Sequence, residues 1–267
     1  MSGGRLKVAV AVLLALVIGV GAWATLAFRP TSEARAALAN DSRVEVVYDR
    51  GVYRFSSMSF RGTVPVGLLL FPDKYVDPIA YAPYARAIAA AGYPVILVPL
   101  TSRGMFGGAD PAEVLHLALG SIHEDERAAQ WILAGHGHGA SVAGRMALEV
   151  MQLGAKAVGG ILLIGTAQPG DSVLAKVKVP LTKIVATKDG RVSYATAEAN
   201  RRYLPPQAKW VAIDGGNHSQ FASAGFFPGD SPAGVSHAEQ QQRLINATLE
   251  MLRVATDTQR NASWLAR

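Results

Sequence analysis

"WILAGHGHGA", Trp131 to Ala140, closes an apolar run with three glycines and two histidines in alternation. In parallel sheets reactive groups collect where a strand ends and a helix begins. The sharp turn between them needs small residues on either side of its tip. Gly135 and Gly139 are those flanks, so the tip is Gly137. The stretch therefore marks the place of a nucleophile and supplies no atom that could attack.

The surrounding chain agrees with this placement. "VGLLLF", "PVILVPL", "WILAG", "GGILLIG", "LTKIVAT" and "KWVAID" are short apolar strand runs. Between them stand amphipathic segments: "PIAYAPYARAIAAAG", "DPAEVLHLALGSI", "GASVAGRMALEVMQLG", a helix near Tyr194 to Tyr203, and a last one from about Ala238 to Leu252. Alternation of this kind predicts a mainly parallel sheet with helices on both faces. "RVEVVYDRGVYRFSS" predicts an antiparallel entry ribbon about an Asp49-Arg50-Gly51 turn.

Composition narrows the function classes. The 267 residues, 50% hydrophobic, suffice for one sizeable core. Of the 26 basic side chains, Arg5, Lys7 and Arg29 flank an acid-free N-terminus, so the remaining excess over 20 acidic groups is too small and scattered for a nucleic-acid partner. The absence of cysteine excludes disulfides, thiolate metal sites, a cysteine nucleophile and a lipoprotein-type lipid anchor.

From Val8 to Phe28 no residue is charged, and a helix needs about 20 such residues to cross a bilayer. Residues 1–29 thus read as a membrane anchor. Arg5 and Lys7 favour a cytoplasmic N-terminus and a domain outside the cytoplasm. The other reading is a signal peptide cleaved near Ala22-Trp23-Ala24, although cleavable apolar regions usually run about 7 to 15 residues. Residues 30–42 read as a stalk, 43–255 as the domain, and 256–267 as a frayed tail.

At this point the sequence resembles the α/β-hydrolase superfamily, in particular a compact bacterial group whose elbow usually reads Gly-His-Ser-x-Gly. Two further segments match in chain order: "IVATKDGRVS" resembles the acid loop and "IDGGNHSQFASAGFFPGD" the histidine loop. The resemblance implies an α/β-hydrolase fold and cofactor-free hydrolysis of an ester-like or other acyl bond. It also implies Asp189 as acid, His218 as base and Gly137 at the vacant nucleophile position. Ser141 lies about one helical turn too far along to replace it. The oxyanion-hole backbone donors would be His138, after the elbow, and Asp73, where the group carries a Gly-Gly pair. Asp73 and Lys74 read as solvated turn residues; an inward Asp73 would oppose an oxyanion. His136 and His138, with His218 or Asp73, could look like metal ligands, but His136 matches the family's ordinary residue before the nucleophile, and no metal is expected.

Three readings of function follow. The first is a membrane-tethered protein that has lost serine chemistry and binds a small acyl-type ligand or a protein partner. The second is an enzyme using the His218-Asp189 pair as general base on water or substrate. The third is a serine hydrolase whose nucleophile has been replaced by glycine.

Overall fold

In the computed structural model, residues 3–59, 62–104, 111–152, 157–170 and 172–265 are described. The chain opens with helix α1 (Gly3–Ala27) and a short helix α2 (Ser32–Ala36). The ribbon follows as β1 (Val44–Asp49) and β2 (Val52–Ser57). They pair antiparallel with Asp49 opposite Val52, about a turn in which Arg50 and Gly51 both have positive φ (49° and 85°). That conformation matches the twist of a two-residue hairpin.

Next come β3 (Val64–Phe71), α3 (Ala82–Ala90), β4 (Val95–Leu97), α4 (Pro111–His123), β5 (Ala128–His136) and α5 (His138–Gln152). The chain finishes through β6 (Val158–Ile164), β7 (Leu181–Ala186), α6 (Tyr194–Ala199), β8 (Lys209–Ile213) and α7 (His237–Leu265). The eight strands form one sheet in the order β1-β2-β4-β3-β5-β6-β7-β8, parallel from β4 to β8. All described residues of β6 and β7 are buried, as expected for parallel strands covered on both faces. One core packs the sheet against α3 and α7 through Tyr84, Ile88, Leu244 and Leu252; the other packs it against α4 and α5 through Val114, Ala118, Met146 and Val150. This is the α/β architecture expected from the alternating pattern.

The chain's ends differ from the expected boundaries. The predicted stalk is folded onto the domain: Ala34 is buried, Arg86 donates to the carbonyls of Ala37 and Ala39, and Pro30 pairs with Ala224. Phe28, expected in the apolar span, belongs to the domain core, where it stacks on Phe227 (ring centroids 4.8 Å apart) and Tyr75 (5.7 Å). The expected tail continues α7 through Leu265, held at its start by burial of Ala255 and Thr256. Arg267 and the expected helix residues Asp110, Leu153 and Gly154 lie outside the described residues.

The apolar part of α1, Gly4 to Trp23, has mean hydropathy 2.3 and is not buried against the domain. Leu13, Val17 and Ile18 are each more than 60% exposed. An N-terminal helix of this kind could be a membrane anchor or a signal sequence.

Candidate active site

Strand β5 delivers His136, the chain turns through Gly137 at φ +53°, and α5 starts at His138. The Gly137 N–H donates to the Ile164 carbonyl of the neighbouring strand (2.9 Å), which fixes the turn against the sheet. Its flanks are small of necessity. A Cβ at Gly139 would run into the Phe71 and Pro72 backbone, and one at Gly135 into the backbone of Gly139. The sequence pattern around position 137 is thus a packing requirement of the elbow.

The position of Gly137's missing side chain is occupied. A Cβ there would stand 2.8 Å from Oδ2 of Asp73, and closer still to its Oδ1 and Cγ. Asp73 comes from the loop after β3 and is buried at 3% exposure, so the expected solvated turn residue points inward instead. Its Oδ1 accepts from the His138 N–H at 2.6 Å, and its Oδ2 lies 3.2 Å from Nε2 of His218. The first contact places an anion at the N-terminus of the 15-residue α5, where free N–H groups and the helix dipole favour one. This explains how a carboxylate survives burial here.

The acid and the histidine are brought together from β7 and β8. Nδ1 of His218 meets Oδ2 of Asp189 at 2.8 Å, while Asp189 Oδ1 accepts from the N–H groups of Arg191 (2.9 Å) and Val192 (2.7 Å). Both side chains are buried. Asp230 laces the two loops: its Oδ1 accepts from the N–H groups of Gly190 and His218, and its Oδ2 from the N–H and hydroxyl of Ser219. Asp230 escaped the sequence reading because an acid beside Pro-Gly looks like any turn residue.

Charge follows from these contacts. Burial pushes His218 down, but hydrogen bonds to Asp189 and Asp73 outweigh it and raise the imidazole to about 9. Burial pushes Asp73 up, yet the hydrogen bond to His218 and the neighbouring histidines hold its carboxyl well below the usual range. At neutral pH an imidazolium thus lies between the side chains of Asp73 and Asp189. Burial drives His136 the other way, well below its ordinary value, so its ring is neutral.

The two expected oxyanion-hole donors are both engaged. The His138 N–H is on the Asp73 carboxylate, and the Asp73 N–H donates to the Tyr81 hydroxyl at 3.0 Å. That hydroxyl shares a 2.7 Å hydrogen bond with Nδ1 of His136. Tyr81 reads in the sequence as a core aromatic, and nothing there signals its polar task. Ser141 lies inside α5 and lines a cavity of about 370 Å³ with His138, Gln168 and Val173. A second cavity, about 600 Å³, is lined by Asn217, Ser219 and Gln220 with Thr31 and Glu33. Neither is lined by Asp73, Gly137 or His218.

A sequence model described as Alpha/beta hydrolase family matches residues 67–242. The chain belongs to the α/β-hydrolase family. No curated protein matches it. Among solved structures the fold is similar to fungal esterases from Rhizomucor miehei (TM-score 0.57, 13% identity, 84% of this chain and 87% of that one). It is similar too to a variant of the esterase rPPE (TM-score 0.56, 14% identity, 82% and 88%). Est1E from Butyrivibrio proteoclasticus gives a TM-score of 0.53 at 9% identity, over 79% of this chain and 100% of that one. In this α/β hydrolase, the space beside Gly137 is filled by a carboxylate from another loop.

Proposed function

We propose that this chain is a membrane-anchored α/β hydrolase that binds an acyl-type ligand or a protein partner without serine-type turnover. The carrying observation is the Asp73 carboxylate in the space beside Gly137, on the N–H of His138 and facing Nε2 of His218. It imitates a bound product carboxylate, one oxygen where an oxyanion would sit and the other at the base. Anchoring through α1, with the domain outside the cytoplasm, is supported by the charge-free run from Val8 onward and by Arg5 and Lys7 at the start of the helix.

The second reading, His218 as general base, is favoured by its 2.8 Å bond to Asp189. It requires Asp73 to leave first, because a histidine held protonated accepts no proton.

The test is turnover of a short acyl ester by the full chain in detergent, as the unmodified protein, as Gly137→Ser and as Gly137→Ser with Asp73→Gly. The unmodified chain and the single variant are expected to be inactive. The double variant regains a serine beside His218 and frees the His138 N–H, a donor whose removal from working enzymes costs roughly 10²- to 10³-fold. Robust turnover by the unmodified chain, lost in His218→Ala, overturns the proposal.

A further inference from the structure

His136, His218 and Asp73 converge on one buried point beneath the elbow. A ring nitrogen of each histidine and a carboxylate oxygen of Asp73 lie within 4.8 Å of one another, and all three residues are at most 3% exposed. The imidazole rings are 4.3 Å apart, centroid to centroid. Two imidazoles and one carboxylate are a donor set suited to a divalent transition metal, with no thiolate in the chain to compete.

Two observations separate this cluster from an ordinary core group. The first is that each residue has one polar atom held by an outer partner. Asp189 holds Nδ1 of His218, the Tyr81 hydroxyl holds Nδ1 of His136, and the His138 N–H holds Oδ1 of Asp73. Partners of this kind fix the tautomer and aim of metal ligands. That leaves Nε2 of His218 and Oδ2 of Asp73, which face each other at 3.2 Å across a proton that a bound cation would release, and Nε2 of His136. The second is that Nε2 of His136 is fully buried and has no hydrogen-bond partner among the described residues. A buried nitrogen left bare calls for an explanation, and a bound ion supplies one.

The spacing already achieved suits a shared ion. Nε2 of His218 and Oδ2 of Asp73 are 3.2 Å apart. Two ligands each about 2.0–2.2 Å from a tetrahedral zinc stand at about that separation. Gly137 matters as well, since any side chain at the elbow tip would displace the Asp73 carboxylate.

We propose that His136, His218 and Asp73 form a buried site for one divalent transition-metal ion, with zinc as its first candidate. Three protein donors leave the ion a further position for water or for an oxygen of a bound ligand. The inference goes beyond the loss of serine chemistry and does not depend on it, because a bound ion is compatible with either outcome of the ester assay.

The experiment is zinc titration of the untagged, chelator-treated full chain in detergent, followed by calorimetry and by metal content after gel filtration. One zinc per chain is expected. Tyr81→Phe, which removes the outer partner of His136 and the acceptor of the Asp73 N–H, is expected to weaken zinc binding about 10- to 100-fold. His136→Ala is expected to abolish it, while His116→Ala with His123→Ala, two exposed histidines of α4, leaves it unchanged. Cobalt(II) in the unmodified chain provides a readout independent of how the variants fold. The intense visible absorption of four- or five-coordinate cobalt, displaced by zinc, supports the site. Absence of bound zinc, zinc retained by folded His136→Ala, or a weak octahedral cobalt spectrum overturns it.

Discussion

On the acid–histidine side of the site, the backbone of each group is anchored by residues close to it in sequence. Asp189 is fixed by the N–H groups of Arg191 and Val192, and His218 and Ser219 are tied by Asp230, 11 to 12 residues away. On the elbow side, Gly137 contributes no side chain, and the space is filled by Asp73 from a loop 65 residues before His138 in the sequence. The first side is a local design that survives as long as its loops survive. The second depends on two distant positions agreeing in volume: a glycine at 137 and an inward carboxylate at 73. That dependence is open to direct attack.

The largest expected effect is at Gly137. Gly137→Ala introduces a Cβ into the Asp73 carboxylate at a backbone φ of +53°. The strain and the overpacking together cost about 2–5 kcal/mol, seen as a lowered Tm of the full chain in detergent. Asp73→Gly in the same chain relieves the overpacking, so the two substitutions should be non-additive by about 1–3 kcal/mol. Strict additivity would mean that Asp73 does not stand where the missing side chain belongs.

Next in size is Lys183, which sharpens the comparison by showing a buried amine with no opposite charge beside it among the described residues. It lies in β7, 1% exposed, its ammonium donates among the described residues to the Gln168 carbonyl alone, and burial lowers it to about 7. The unfolded chain therefore binds one more proton than the folded chain between about pH 7 and the ordinary lysine value near 10.4, and stability rises with pH across that window. The slope should approach about 1.4 kcal/mol per pH unit near pH 8.5. Lys183→Met should lose that slope in urea titrations at pH 7, 8 and 9. An unchanged slope would show that the ammonium is hydrated.

Asp230→Ala tests the local design. It removes the acceptor shared by Gly190, His218 and Ser219 and should cost about 1–3 kcal/mol. The same substitution should leave the Gly137–Asp73 coupling intact, since Asp230 touches neither residue. Loss of the coupling would merge the two sides into one unit.

The difference between the two sides also explains what was legible in the sequence. Strand runs, the flanking glycines and the order of Asp189 and His218 each rest on local patterns, and the parallel sheet follows from them. Asp73 was misread because its neighbourhood, Pro72-Asp73-Lys74, looks like a solvated turn, and a hydropathy pattern records nothing about a vacancy 64 positions away at Gly137. A signal was present: an elbow tip without a side chain leaves space, and topology brings the loop after β3 to that tip. Residues 30–42 were misread because a polar, alanine-rich stretch does not reveal that Ala34 is buried or that Arg86 will tie it down. Tyr81 and Asp230 act through a single hydroxyl and a single carboxylate, and side-chain polarity at one atom leaves no periodic trace.

The smallest effect expected is at His138, and its smallness is informative. His138 serves the site through its backbone N–H, which donates to Asp73 Oδ1 at 2.6 Å, while its half-exposed ring lies outside the His136–His218–Asp73 cluster. His138→Ala keeps the N–H and the start of α5, so the chain's Tm should correspond to a change within about 0.5 kcal/mol. His138→Pro removes the same N–H at a helix start that otherwise accepts proline, because proline suits the first turn. It should therefore unpin the Asp73 carboxylate and lose most of the Gly137–Asp73 coupling measured in the cycle above. If alanine and proline at 138 behave alike, the backbone donor is not what holds Asp73 inward, and the burden falls on His218.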